Sequence, residues 1–351
     1  MKENLLPKKN LCVDLNAFCK TLLLLLLSVC VQQVKGQQEE AVYSLRLTLP
    51  VVDLPQNASS PDQNLSMNQA LLWSNSVYDL GFWGIGEKGN SLFKNSKKPL
   101  VKNAFTYVAG LAFSKYGSEL PIPLGVWAHE EFHRSVLGTN GIASSNGNWI
   151  LNRWDGTVYG VSDEALSHLK SERPEALLYA YVAGVQSEVL STEYNTIQDV
   201  HHKRQFYKNA LYLYHAYYVW NYFNFSTSAA SDSSKILVPQ HESPLPSERD
   251  FAGSDLTAWV YDMFNPGQPF TDREDFPKGE GVNRRIGFSD LSPEAQDFLK
   301  KQQNLSLLNF INPAIFLSIG LRCHLISPSM PLCNMYLRIL ATTSPWWFHL
   351  A

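Results

Sequence analysis

The sequence predicts a mainly α-helical fold with few strands and an irregular C-terminal region. Three observations carry this reading. Apolar residues recur at helical spacing in several stretches between 100 and 303, helix-start signals such as Ser162 and Ser292-Pro293 precede some of them, and strand-like alternation is confined to one short segment. At 351 residues with 45% hydrophobic and 17% charged side chains, the chain can bury a sizeable core in one to three domains. A formal net charge of −3 points away from nucleic acid as a partner.

In chain order, Tyr43, Leu45, Leu47 and Leu49 alternate with polar residues and predict a half-buried strand ended by Pro50. Residues 55–68, rich in Pro, Asn, Ser and Asp, read as a loop. Gly84, Gly86 and Gly89 match G-x-G-x-x-G, but no β-run leads into them and no helix clearly follows, so they read as a flexible turn and not a nucleotide site. Helices are expected over Leu100–Lys115, about 124–137, a short stretch capped by Ser162, 175–194 after Pro174, and 199–225, the last crowded with aromatic residues. Ser226–Ser234 and 239–250 read as loop or linker, Leu256–Phe264 as a short helix, and Pro293–Gln303 as a helix capped by Ser292.

These elements divide the chain into 1–36, a signal peptide or membrane anchor; 37–68, an extended N-terminal segment; 69–225, a helical catalytic domain; 226–250, a linker or loop; and 251–351, a C-terminal helical and apolar region. Lysines up to Lys20 precede the run Leu22–Leu27, and small residues Val34 and Gly36 stand before Gln37, the pattern of an export signal. An extracytoplasmic location follows: secreted, periplasmic or membrane-anchored. Cys12, Cys19 and Cys30 fall in that signal, which leaves Cys323 and Cys333 able to pair in an oxidising compartment.

His129-Glu130-Glu131-Phe132-His133 reads as H-E-x-x-H on a helix. Two imidazoles four residues apart share a helical face and can reach one metal ion, and Glu130 lies to the side, where a carboxylate can take a proton from water. With 9 His and 17 Glu, chance gives this pattern in about 1 chain in 100 of this composition. A catalytic zinc takes three protein ligands and keeps one position open, so a third ligand is required. Val136 and Thr139 exclude the extended H-x-x-G-x-x-H class, and 145–163 contains no Glu. Asp155 lies in that window but reads as a turn residue. Glu188 is the stronger candidate: Ala180, Gly184, Ser187, Glu188 and Ser191 share a helix face whose small residues allow a partner helix close, and Glu188 is its only charge. Glu131 points away from the His pair, towards solvent or Arg134.

Two His and a Glu on a later helix resemble the gluzincins, zinc metallopeptidases with two His and one Glu ligand. The resemblance covers about 60 residues and implies Zn²⁺ as cofactor, His129, His133 and Glu188 as ligands, and Glu130 as general base. It also implies a helical zinc-peptidase-like domain that hydrolyses a protein or peptide substrate. The donor for the transition-state oxyanion is open among His201, His202, His215 and the tyrosines of 199–225, with Asp199 as a residue that could orient a ligand His. Two other readings stand beside this one. One is a non-enzymatic envelope protein with a structural or vestigial metal site. The other is a membrane-embedded metalloprotease, suggested by the apolar stretches Leu100–Phe113, 175–190, 207–225 and 305–321 and weakened by the charges within them.

Overall fold

A computed structural model describes residues 45–51, 53, 64–95, 99–201, 205–312 and 315, with side chains excepted at 200 and 201. The expected signal, both mature cysteines, His202 and the tail from 316 lie outside the described residues, as does the side chain of His201. The described chain is mainly helical. Its α-helices are α1 (Met67–Leu92), α2 (Pro99–Ala112), α3 (Gly125–Thr139), α4 (Asp163–Glu172), α5 (Pro174–His201), α6 (Asn209–Ser226), α7 (Ala229–Leu237), α8 (Asp255–Phe264) and α9 (Pro293–Ser306). The strands β1 (Ser145–Asn146) and β2 (Val158–Tyr159) form a small antiparallel pair beside α3.

Local chemistry explains most boundaries. Ser162 caps α4 by accepting from the Ala165 amide at 3.2 Å, and Ser292 caps α9 through Ala295 at the same distance. Pro174 and Pro293 occupy first helical positions, where a missing N–H costs nothing. Helix α3 stops where Gly141 adopts a φ of +76°, open to glycine without strain.

Four expectations are corrected. Residues 45–50 form no strand; Leu45, Leu47 and Leu49 face outward, and the segment is held by α1 side chains, with the Thr48 amide donating to Ser76 Oγ at 2.8 Å. Gly84–Gly89 is no turn. Helix α1 runs through it, because a Cβ at Gly86 would overlap the Tyr207 hydroxyl and one at Gly89 would meet Thr106 Cγ2 at 2.5 Å. These glycines serve close packing, and a capping box between Ser66 and Gln69 starts the helix that composition obscured. The expected 199–225 helix is two, since α5 continues to His201 and α6 begins at Asn209. Finally, the Ser226–Ser234 stretch is not all loop, because Ser228 caps α7 by accepting from the Ala230 amide at 3.3 Å.

The core sits where α3 and α5 lie side by side, with α1 packed on both and α8 against α5. Phe132, Val136, Leu137, Leu177, Ala180, Tyr181, Phe251 and Leu256 are among its buried members. Burying an aliphatic or aromatic side chain of this size contributes about 1.5–3 kcal/mol, so this seam holds α3 rigidly against α5. A polar clasp adds register: Ser191 Oγ and Asn195 Nδ2 of α5 both donate to Asn75 Oδ1 of α1, at 3.0 and 2.6 Å.

Candidate metal centre

Helix α3 brings His129 and His133 to the α5 side of its surface, their ring centroids 4.8 Å apart. The expected i, i+4 pairing is present. The third group that meets them is Asp255, the first residue of α8, whose Oδ2 lies 3.2 Å from His129 Nε2 and 3.3 Å from His133 Nε2. One ligand atom from each of the three lies within 4.8 Å of the others, and all three residues are buried. This group could bind a metal ion.

The surroundings fix which ring atoms face the centre. His133 Nδ1 meets the Ala180 carbonyl oxygen at 2.6 Å, an acceptor, so Nδ1 carries a proton and Nε2 is the ring atom turned to the centre. Nε2 of His133 faces the Asp255 carboxylate at 3.3 Å, and a proton or a shared metal ion between them satisfies both. Groups bound at about 2.0–2.1 Å around a tetrahedral zinc stand about 3.3 Å from one another, close to the separations found here. Gly184 of α5 lies directly beneath: a Cβ there would overlap Nε2 of both histidines, so only glycine leaves this space free. The residues present fit a metal.

Tyr222 of α6 donates its hydroxyl to Asp255 Oδ2 at 2.7 Å and Tyr218, one turn earlier, packs edge-on to His129 with centroids 6.1 Å apart. Burial and the Asp255 charge hold the Tyr222 hydroxyl well above its usual range, so it stays a donor. Burial alone would raise the Asp255 carboxyl, but the His133 charge and the contacts with both imidazoles outweigh it and hold Asp255 ionised far below the ordinary carboxylate range. His129 is raised: burial opposes its charged form, and Asp255 and then Glu188 outweigh that.

Glu130 is 6% exposed, and no side chain among the described residues hydrogen-bonds its carboxyl. Burial raises its pKa well above the ordinary value; the His129 charge lowers it, and the charges of Asp250, Asp255 and Asp155 raise it again. A carboxylate with raised proton affinity beside a metal group is what a general base requires.

Glu188, the ligand expected from the small-residue stripe, is buried with its Oε2 at 3.9 Å from His129 Nδ1, the ring nitrogen turned away from Asp255. Neither atom has a hydrogen-bond partner among the described residues. Glu131 binds Arg134 at 2.6 Å and Asn146 at 2.8 Å, anchoring β1 to α3. Asp155 bonds Thr157 and Arg153 in its own turn. His215 is a core residue between Thr192 and Tyr78, and Asp199 accepts from Tyr212 at 2.7 Å, away from the centre.

Asp255 escaped the sequence reading. Its only signal was a carboxylate opening a predicted apolar helix, which any helix favours at its N-terminus. A cavity of about 460 Å³ lies between α4 and the 266–271 loop and takes no lining residue from the His129–His133–Asp255 group. Comparison with known proteins gave no counterpart: no family model, no curated protein and no solved structure matches the chain.

Proposed function

We propose that this chain is a zinc-dependent hydrolase of peptide bonds, with His129, His133 and Asp255 as metal ligands and Glu130 as general base. The observation that carries the reading is the meeting of two imidazole Nε2 atoms and one carboxylate oxygen, with a buried Glu of raised proton affinity next to His129 in the helix. A zinc ion held by these three residues would supply Lewis acidity and a water of lowered pKa. Glu130 would accept a proton from an attacking water and pass it to the leaving amine. Ala180 and Tyr222 hold the orientation of His133 and Asp255, while Glu188 stands near enough to His129 to position its ring. Tyr222 lies nearer to His129, with ring centroids 5.5 Å apart, but its hydroxyl is engaged by Asp255, so Tyr218, at 6.1 Å and kept protonated chiefly by burial, is the tyrosine placed to donate to a developing oxyanion. The gluzincin resemblance now rests on the pentapeptide alone, since the proposed third ligand is an Asp. Export of the chain stays with this proposal.

A second reading is favoured by one observation, the deep burial of all three ligand side chains: a metal that stabilises the fold without turning over substrate. The experiment that separates them is metal analysis joined to a peptide-cleavage panel. The enzyme reading expects about one zinc per chain in wild type and in Glu130→Gln, with zinc-dependent cleavage in wild type reduced at least about 100-fold in the variant. Equal zinc in both and no cleavage by either overturns the hydrolase and leaves the structural metal.

A further inference from the structure

Helix α2 is built inside out. Across Pro99–Ala112 the buried residues are Thr106 and Gly110, while Leu100, Val101, Phe105 and Val108 are exposed, Val108 at 64%. With Ala104 and Ala112 these residues fall within an arc of about 140° that carries no charge. A helix of a globular protein turns such a stripe inward. Here the inward side is the one that fits the neighbours: a Cβ at Gly110 would meet the Tyr207 carbonyl oxygen at 3.0 Å, so no larger residue could seat the helix that closely. The apolar surface continues past the helix. Phe93, after α1, packs on Phe105 with centroids 5.5 Å apart, and Leu92, Tyr116 and Leu120 are exposed, Tyr116 at 69%.

The charge around this face is one-sided. Residues 87–118 contain six lysines, Lys88, Lys94, Lys97, Lys98, Lys102 and Lys115, against one acid, Glu87, in a chain whose formal net charge is −3. Lys88 and Lys94 are exposed at the end of the α1–α2 hairpin. Lys115 pairs with Glu119, which leaves the rest of the set to define the field.

We infer that this face docks on an anionic lipid bilayer, with α2 lying in the boundary between headgroups and acyl chains and the lysines among acidic headgroups. A 14-residue helix is about 21 Å long, too short to cross a hydrocarbon core of about 30 Å but suited to lying in its surface. The charge pattern selects this occupant over two others. A two-fold pairing with a second copy would bring the lysine rim against itself. Residues 316–351 of the chain carry Arg322 and Arg338 and no acid, so they would meet the rim with the same sign. The face shares no residue with the metal group, and the inference stands or falls apart from the hydrolase reading.

The test is flotation of the full chain with vesicles of phosphatidylcholine alone and of phosphatidylcholine containing about one third phosphatidylserine. Wild type is expected to float only with the anionic vesicles and to be released as salt rises from about 0.1 M to about 0.5 M. Val101→Glu with Val108→Glu, both at exposed positions, should abolish flotation. Lys88→Glu with Lys94→Glu should weaken it at least about 25-fold, from about fivefold per lysine near the surface. Circular dichroism checks that each variant keeps wild-type helicity, and the lysine pair decides if the valine pair does not. Flotation that is absent, equal on both vesicles, or unchanged in a folded variant overturns the inference. So does a concentration-dependent dimer that the valine pair dissolves without any vesicle binding, which would assign the face to a second copy.

Discussion

Exchanging one oxygen at Asp255 and one at Glu188 should separate a metal ligand from the residue behind it. Asp255 Oδ2 lies 3.2 and 3.3 Å from the two Nε2 atoms, whereas Glu188 Oε2 approaches only Nδ1 of His129, at 3.9 Å. Asp255→Asn keeps volume but removes the anionic ligand, and Glu188→Gln removes only the charge behind His129. Loss of an outer partner of a ligating histidine lowers metal affinity about 10- to 100-fold. At free zinc of about 100 times the wild-type dissociation constant, binding stabilises the native state by about 2.7 kcal/mol. The same zinc gives Glu188→Gln about 1.4 kcal/mol at a tenfold weaker affinity and about 0.4 kcal/mol at a hundredfold weaker one. A chain of this size melts about 2–4 °C higher per kcal/mol, so zinc should raise wild type by about 5–11 °C and Glu188→Gln by about 1–6 °C. Asp255→Asn should show no shift. Scanning calorimetry with and without zinc reads the shifts, and elemental analysis counts the metal. One zinc per chain and a wild-type shift in Asp255→Asn would refute the ligand assignment, and loss of both in Glu188→Gln alone would hand the role to Glu188.

Gly184→Ala should abolish zinc binding while the helices persist, because alanine favours a helix by about 1 kcal/mol but its methyl overlaps both Nε2 atoms; wild-type affinity by zinc titration would refute the close approach. Burial pushes the His215 imidazole down to about 3, against about 6.5 in an unfolded chain. Between those values the unfolded state takes a proton that the native state refuses, so this residue removes about 1.4 kcal/mol of stability per unit as pH falls from about 6.5. Urea titrations of His215→Gln across pH 6 to 4 should show a slope shallower by that amount, and an unaltered slope refutes the assignment. Asp262 is buried and accepts from Lys170 at 2.9 Å, Arg273 at 2.9 Å and Tyr181 at 3.1 Å. Asp262→Asn leaves two buried cations without their counter-charge and should cost about 3–5 kcal/mol in urea unfolding; a loss below about 1 kcal/mol would show that the cations find other partners.

Helix content was readable where end signals and period agreed. Ser162, Pro174, Ser292 and Pro293 stand at real helix starts, because capping is a local affair between a side chain and amides within one turn. Helix α1 was not readable, since Gly84, Gly86 and Gly89 imitate a turn when the neighbours that crowd the last two are unknown. Tyr207 and Thr106, which explain Gly86 and Gly89, come from elsewhere in the chain. The alternation at 43–49 misled for the opposite reason: period two predicts a strand only if a partner strand exists, and residues 45–50 find side chains of α1 instead.

The metal group divides along the same line. His129, Glu130 and His133 were visible because a helix fixes their relative placement over one turn. The small stripe on α5 did mark the closest approach of another helix, and Ala180 and Gly184 are the residues that touch the histidines. Yet close approach is what keeps that helix from filling the centre. With the α5 backbone against both Nε2 atoms, the space beside them admits no side chain from residue 184, and a carboxylate one turn later, at Glu188, reaches the rear nitrogen of His129. A third group must then enter end-on, from an element that points at the pair instead of lying along it. Asp255 does so at the first turn of α8, tied down by Tyr222. Small-residue seams in a sequence therefore locate the wall of such a site, and the ligand opposite that wall is found among the acids that begin helices.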